Sequence, residues 1–251
     1  MNRLSIRFLL YTFVIMLLCW GTCWICSACG VYMQQNVFLY PLYMLGGWSP
    51  TIASYLVLKQ FGHVNGLKQW LRNLFGFRCS IRAYIMVFAM AALFILPQCL
   101  ICGYENGAPL FALVFMIPVM LFGGGLEEAG WRYILQPELE KKCGFLPATL
   151  IMSLIWWLWH MPLFYIHGVS QYGADFITFG INVLGLSFAL AAIRRCTKSV
   201  WLCVLFHCVV NSLSGIYIVK DNRIGNIVST ILLIVVSSAM VRKCEHQNSI
   251  G

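Results

Sequence analysis

What most constrains this chain is a succession of long apolar runs, about eight of them, separated by short loops that hold nearly all of its charge. Most approach the ~20 residues that a helix needs to cross a bilayer. The runs fall at 8–33, 37–58, 84–102, 109–121, 148–166, 176–193, 200–219 and 224–241. In hydrocarbon each backbone N–H and C=O must be satisfied without water, so such runs fold as helices. Of 251 residues 61% are apolar and 10% charged, where soluble domains carry about 25% charge. Too few charged side chains are present to cover a water-soluble globule, and the apolar content excludes disorder. The expected fold is all-α: a polytopic transmembrane helical bundle, with residues 1–251 as one integral-membrane domain. Pro50, Pro97, Pro118 and Pro162 fall in or beside spans, which packed membrane helices tolerate.

The net charge is +9. The aromatics lie inside the apolar runs rather than among the cations, so nucleic acid is not an expected partner. The lipid bilayer is, because cations collect in cytoplasmic loops. With the N-terminus inside, one side receives Arg3, Arg7, Lys59, Lys68, Arg72, Arg78, Arg82, Lys141, Lys142, Arg194, Arg195, Lys198, Arg242 and Lys243. The other receives Lys220 and Arg223. This asymmetry predicts both termini in the cytoplasm. The first run is too long for a signal peptide and reads as a retained span. The loop 59–82 places Phe61, Leu67, Trp70, Leu71, Leu74 and Phe75 so that they can form an interfacial amphipathic helix. The twelve cysteines sit in apolar stretches without a polar second shell and read as small packing residues.

Chemistry in such a protein is sought where ionisable groups enter the spans. Three places qualify. At the end of the fourth run Glu127 and Glu128 precede Arg132. On a helix Glu128 and Arg132 are i, i+4 neighbours able to pair, while Glu127 lies about 100° round and is free to act as a base. A solvated Glu–Arg pair is the plain alternative. His160 follows Trp156, Trp157 and Trp159 in the fifth run; alone it reads equally as a packed histidine bonded to a carbonyl freed by Pro162. His207 and Asn211 share one face of the seventh run, as an interhelical hydrogen-bonding pair also would. Together these groups supply what is needed to activate a water and steady an oxyanion, with or without a metal. Asn182 and His167 look peripheral. No H-E-x-x-H, G-x-S-G serine site, G-x-G-D or phosphate-loop motif is present; the nearest serine match, around Ser187, is poor.

The order Glu127-Glu128-x-x-x-Arg132, Trp156-x-x-x-His160 and His207-x-x-x-Asn211 resembles the CPBP family, which includes the CAAX prenyl endopeptidases and bacterial relatives linked to bacteriocin self-immunity. The resemblance covers roughly residues 40–215, with Trp156 where phenylalanine is common. It implies an intramembrane endopeptidase acting on a membrane-associated peptide or protein. By that carry-over Glu127 activates the attacking water and His160 helps orient it. His207 and Asn211 stabilise the oxyanion, and Glu128 and Arg132 orient them. A metal-free acid–base set and a zinc set of Glu127, His160 and His207 are both open, the adjacent glutamates being a weak zinc signature. The competing reading is a non-catalytic protein that confers bacteriocin immunity by binding a peptide or a partner peptidase; a proton-coupled transporter is a third. Oligomeric state and substrate identity are not encoded in these motifs.

Overall fold

A computed structural model describes residues 2–220 and 222–250, with the side chains of 248–250 excepted. The chain is almost entirely helical. Helix α1 (Arg3–Ala28) starts where the Asn2 side chain accepts the Ser5 N–H. It packs against α2 (Leu39–Gly47) and α3 (Ser49–Gln60), two short helices meeting at Trp48. Close approach of α1 is set by Gly46, where an added Cβ would lie 2.3 Å from the Trp20 ring. Helix α4 (Leu67–Leu74) buries Trp70 and Leu74 and leaves Leu67 and Leu71 exposed, while Phe61 and Phe75 lie outside it. Helix α5 (Ile81–Cys102) leads to a short strand, β1 (Tyr104–Asn106).

Helix α6 (Leu113–Phe122) ends at three glycines. The chain then bends by 43° and continues to Cys143. That continuation runs through a 3₁₀ turn (Gly125–Glu127), a single turn α7 (Glu128–Gly130), a π-helical turn (Trp131–Leu135) and α8 (Gln136–Cys143). Helices α9 (Phe145–Trp159), α10 (Phe176–Thr197) and α11 (Val200–Ile216) follow. Strand β2 (Tyr217–Val219) pairs antiparallel with β1, and α12 (Arg223–Ile250) closes the order. The β pair ties the α5–α6 loop to the α11–α12 loop, a link that apolar periodicity did not predict.

Helix α11 is the axis of the bundle. Every residue from Leu202 to Val210 is buried, and α5, α6 and α10 surround it. The outer surface is apolar, with Leu18, Ile25, Leu100, Phe111, Val114 and Phe115 each more than 60% exposed to what must be lipid. The molecule is therefore an integral, multi-pass membrane protein. Five of its described helices are long and apolar enough to cross a bilayer, and six if the bent pair 110–143 is counted as one span. Two expected spans differ in form: 37–58 is divided at Trp48, and α11 has 17 residues.

Apart from the buried Glu127, Glu128 and Arg132, charged groups separate to the two ends. At one end Asn2 reaches Glu138 at 2.5 Å, Arg195 bridges Glu140 and Glu245, and the Arg7 guanidinium lies over Phe61. At the other, Asp175 caps α10 and accepts from Arg223 at 2.6 Å and 2.9 Å. Hydrogen bonds from Thr178 and Arg223 hold the Asp175 carboxyl down at about 2. All twelve cysteines are unpaired.

Candidate active site

The site is built around the break after α6. Gly124 has φ +137°, a conformation that side chains rarely adopt, and a Cβ there would sit 2.7 Å from Asn211 Nδ2 and 2.9 Å from His207 Nε2. A Cβ on Gly125 would lie 2.4 Å from Cys208 Sγ. Glycines thus let this backbone run directly against the polar face of α11. Asn211 Nδ2 donates to the Gly123 carbonyl at 3.2 Å, taking up an acceptor left open where α6 stops.

Just beyond the break, the two glutamates diverge. Glu128 is wholly buried. One of its oxygens accepts from His207 Nδ1 at 2.8 Å, and the other lies 3.5 Å from Arg132. Arg132, also wholly buried, donates to Ser187 Oγ at 3.3 Å and lies over the Trp156 ring at 4.9 Å. The i, i+4 pairing read from the sequence is thus present, and Glu128 also holds His207. Because Nδ1 donates to the carboxylate, Nε2 is the histidine's remaining nitrogen, and it faces Gly124.

Glu127 is 8% exposed. It is not the unrestrained carboxylate expected from the helical geometry, since Trp156 Nε1 donates to it at 2.9 Å. A tryptophan N–H taken into a membrane protein's interior needs an acceptor. Trp156 in place of phenylalanine was the available signal for this bond.

His160 owes its orientation to the end of α9. There the helix tightens, so that the His160 backbone N–H bonds Trp157 O at 3.1 Å. This frees Trp156 O, which accepts from His160 Nδ1 at 2.7 Å. The partner is thus the Trp156 carbonyl and not one released by Pro162. The ring is held edge-on by Trp159 and Phe179, with centroids 4.7 Å and 4.9 Å away. The Trp156 ring lies 5.6 Å from His160 and 5.5 Å from His207.

Glu127, His160, His207 and Asn211 all line one cavity of about 170 Å³, with Glu128 and Arg132 packed behind it. That volume holds several waters. Apolar walls come from Trp20, Met44, Trp48 and Phe122. Two polar residues not counted with the site, Gln171 and Asn182, also line it. Asn182 therefore moves from the periphery to the cavity wall; only its place on α10 relative to the other motifs, invisible without packing, could have shown this. His167 lies elsewhere, between Tyr32 and Tyr172.

Among the described residues no three His, Cys, Asp or Glu groups come close enough together to hold a metal ion.

Membrane-crossing helices that enclose carboxylates, imidazoles and a carboxamide around a water-sized cavity define a multi-pass membrane protein with a buried polar site. Residues 109–213, from the start of α6 through most of α11, match the type II CAAX prenyl endopeptidase Rce1-like family. Over 262 aligned residues the chain is 23% identical to the CAAX prenyl protease 2 of Methanococcus maripaludis, spanning 93% of this chain and 92% of that protein. Over 109–213, the stretch that holds Glu127, Glu128, Arg132, His160, His207 and Asn211, the chain is thus similar to the CAAX-type prenyl endopeptidases.

Proposed function

We propose that this protein hydrolyses a peptide bond in a membrane-associated peptide or protein, using a water activated by Glu127. The observation that carries the reading is the gathering of Glu127, His160, His207 and Asn211 around one cavity. Residues 40–215, the catalytic core drawn from the motifs, supply all of that cavity's lining except Trp20.

The Glu127 carboxylate takes a proton from a cavity water, and the resulting hydroxide adds to the scissile carbonyl carbon. The Trp156 N–H keeps the carboxylate aimed while this happens. His160, fixed through Nδ1, presents its other nitrogen to the water as a second orienting group. The oxygen of the tetrahedral intermediate takes hydrogen bonds from Asn211 Nδ2, which keeps a second N–H beside the one given to Gly123, and from the protonated Nε2 of His207. Glu128 supplies the countercharge for that imidazolium, and Arg132 holds Glu128 in place. On collapse, the proton held by Glu127 passes to the leaving amine, yielding a carboxylic acid and a free amine. No step needs a metal, so a chelator is expected to leave the rate unchanged.

The test is cleavage of a short farnesylated peptide ending in Cys-Val-Ile-Met, followed in detergent and in liposomes. The Glu127→Gln protein keeps the cavity's shape and an acceptor for Trp156 but removes the base. Its rate is expected to fall about 10²–10⁴-fold, with normal insertion and thermal stability. His160→Ala and His207→Ala are expected to fall comparably. Full activity in all three variants overturns the reading.

A further inference from the structure

Asn182 stands in the walls of two cavities. On α10 the residues Phe179, Asn182, Val183 and Leu186 recur at helical spacing and turn one face toward the cavity that holds Glu127 and His160. Asn182 is the polar residue among them. It also closes one side of a second cavity, of about 340 Å³, set among α5, α10, α11 and β2. The walls of that cavity carry Gln98, Thr178, Ser214, Asn226 and Lys220, and no carboxylate. Amides, hydroxyls and one ammonium, set beside the apolar Phe94, Ile95 and Val219, suit a peptide better than a lipid chain.

The Asn182 side chain makes no hydrogen bond to any described residue, and its Oδ1 is shielded from solvent. Buried polar groups in native folds are nearly always paired, and leaving one unpaired is costly. Elsewhere in the bundle the comparable amides are used: Gln98 bonds Phe94 O and Ser229, and Asn226 bonds Asn222 O. At the junction of two cavities the unpaired carboxamide keeps its Nδ2 open as a donor, the complement of a main-chain carbonyl.

We propose that Asn182 binds a main-chain peptide group of the substrate where that chain passes from the catalytic cavity into the second one. The two cavities then form a single peptide-binding cleft, with the second taking the residues on one side of the scissile bond. This rests on the endopeptidase reading for its choice of ligand. Its hydrogen bond involves no step of the chemistry, so binding alone tests it.

The probe is a fluorescein-labelled version of the same farnesylated peptide, with affinity measured by anisotropy on full-length Glu127→Gln protein in detergent. Adding Asn182→Leu, of similar volume but unable to hydrogen-bond, is expected to weaken binding about tenfold, the ordinary cost of one lost buried partner. Should leucine unfold the bundle, Asn182→Ala carries the same test. Removing the three residues after the cysteine is expected to abolish the difference between the two proteins, since the shortened peptide no longer reaches the second cavity. Equal affinity for the full peptide with and without Asn182, or binding to neither protein, overturns the inference. A tenfold loss in a protein that never cleaves the peptide supports the cleft and removes the catalytic reading. Cleavage by the wild type, with affinity and KM unmoved by Asn182→Leu, does the reverse.

Discussion

One indole does three things in this site. Trp156 donates to Glu127, stacks under Arg132 and separates the rings of His160 and His207. Trp156→Phe keeps the ring and deletes the donor, so its effect falls on the aim of Glu127. A hydrogen bond to a charged group contributes about 1.5–3 kcal/mol, so kcat/KM for the peptide is expected to drop at least tenfold while the protein still folds. Gly124→Ala acts differently. Its Cβ would meet Asn211 and His207 at contact distances below 3 Å, on a backbone that disfavours any side chain. Loss of cleavage together with a lower melting temperature is expected, by about 2 kcal/mol or more of stability. The residues carrying the chemistry were legible because so few strongly polar groups enter the spans. Their partners were not, since the Trp156–Glu127 and Glu128–His207 bonds join residues 29 and 79 positions apart.

At the scale of elements, the turn from Gly123 to Leu135 is the irregular piece on which the site depends. It replaces one continuous helix by 3₁₀, α and π turns in succession. Such π turns are frequent at functional sites. Arg132 sits in this segment with no exposure to solvent. Arg132→Ala would leave Glu128 charged and buried, with His207 as its remaining partner. Removing one member of a buried ion pair costs about 3–5 kcal/mol, a loss measurable by denaturant titration in mixed micelles, and activity should fall with it as His207 loses its fixed support. Apolar periodicity located this segment and the spans around it. It did not reveal the division of 37–58 at Trp48, which apolarity does not mark: Pro50 stands in the first turn of α3, and Trp48 Nε1 donates to Phe122 O, at the end of α6. Nor does periodicity report strands as short as β1 and β2, whose pairing joins loops more than a hundred residues apart.

For the whole molecule, stability at the end opposite the arginine cluster rests partly on Asp175, which caps α10 and joins it to Arg223 at the start of α12. Its carboxyl is depressed from 3.8 to about 2. A group depressed on folding stabilises the native state above its unfolded value and loses that contribution as pH falls through the folded one. The difference in melting temperature between the wild type and Asp175→Asn is therefore expected to be constant from neutral pH down to about 4, then to vanish near pH 2. A difference that disappears already at pH 5 contradicts the pairing. The collection of the remaining charge at two ends was readable from loop composition, since lipid leaves the interior only to groups that find partners there, as Glu128 and Arg132 do.

The spacing of Glu128 and Arg132 also bears on biogenesis. Their contact lies within one turn of chain, so each can neutralise the other as soon as that turn winds, before α11 arrives with His207. The segment that must be threaded into the bilayer then presents a single uncompensated carboxylate, Glu127, to the insertion machinery instead of three separate charges. Exchanging the positions of Arg132 and Tyr133 would undo this, and the expected signature is a fall in the membrane-integrated fraction during synthesis, ahead of any measurement of activity.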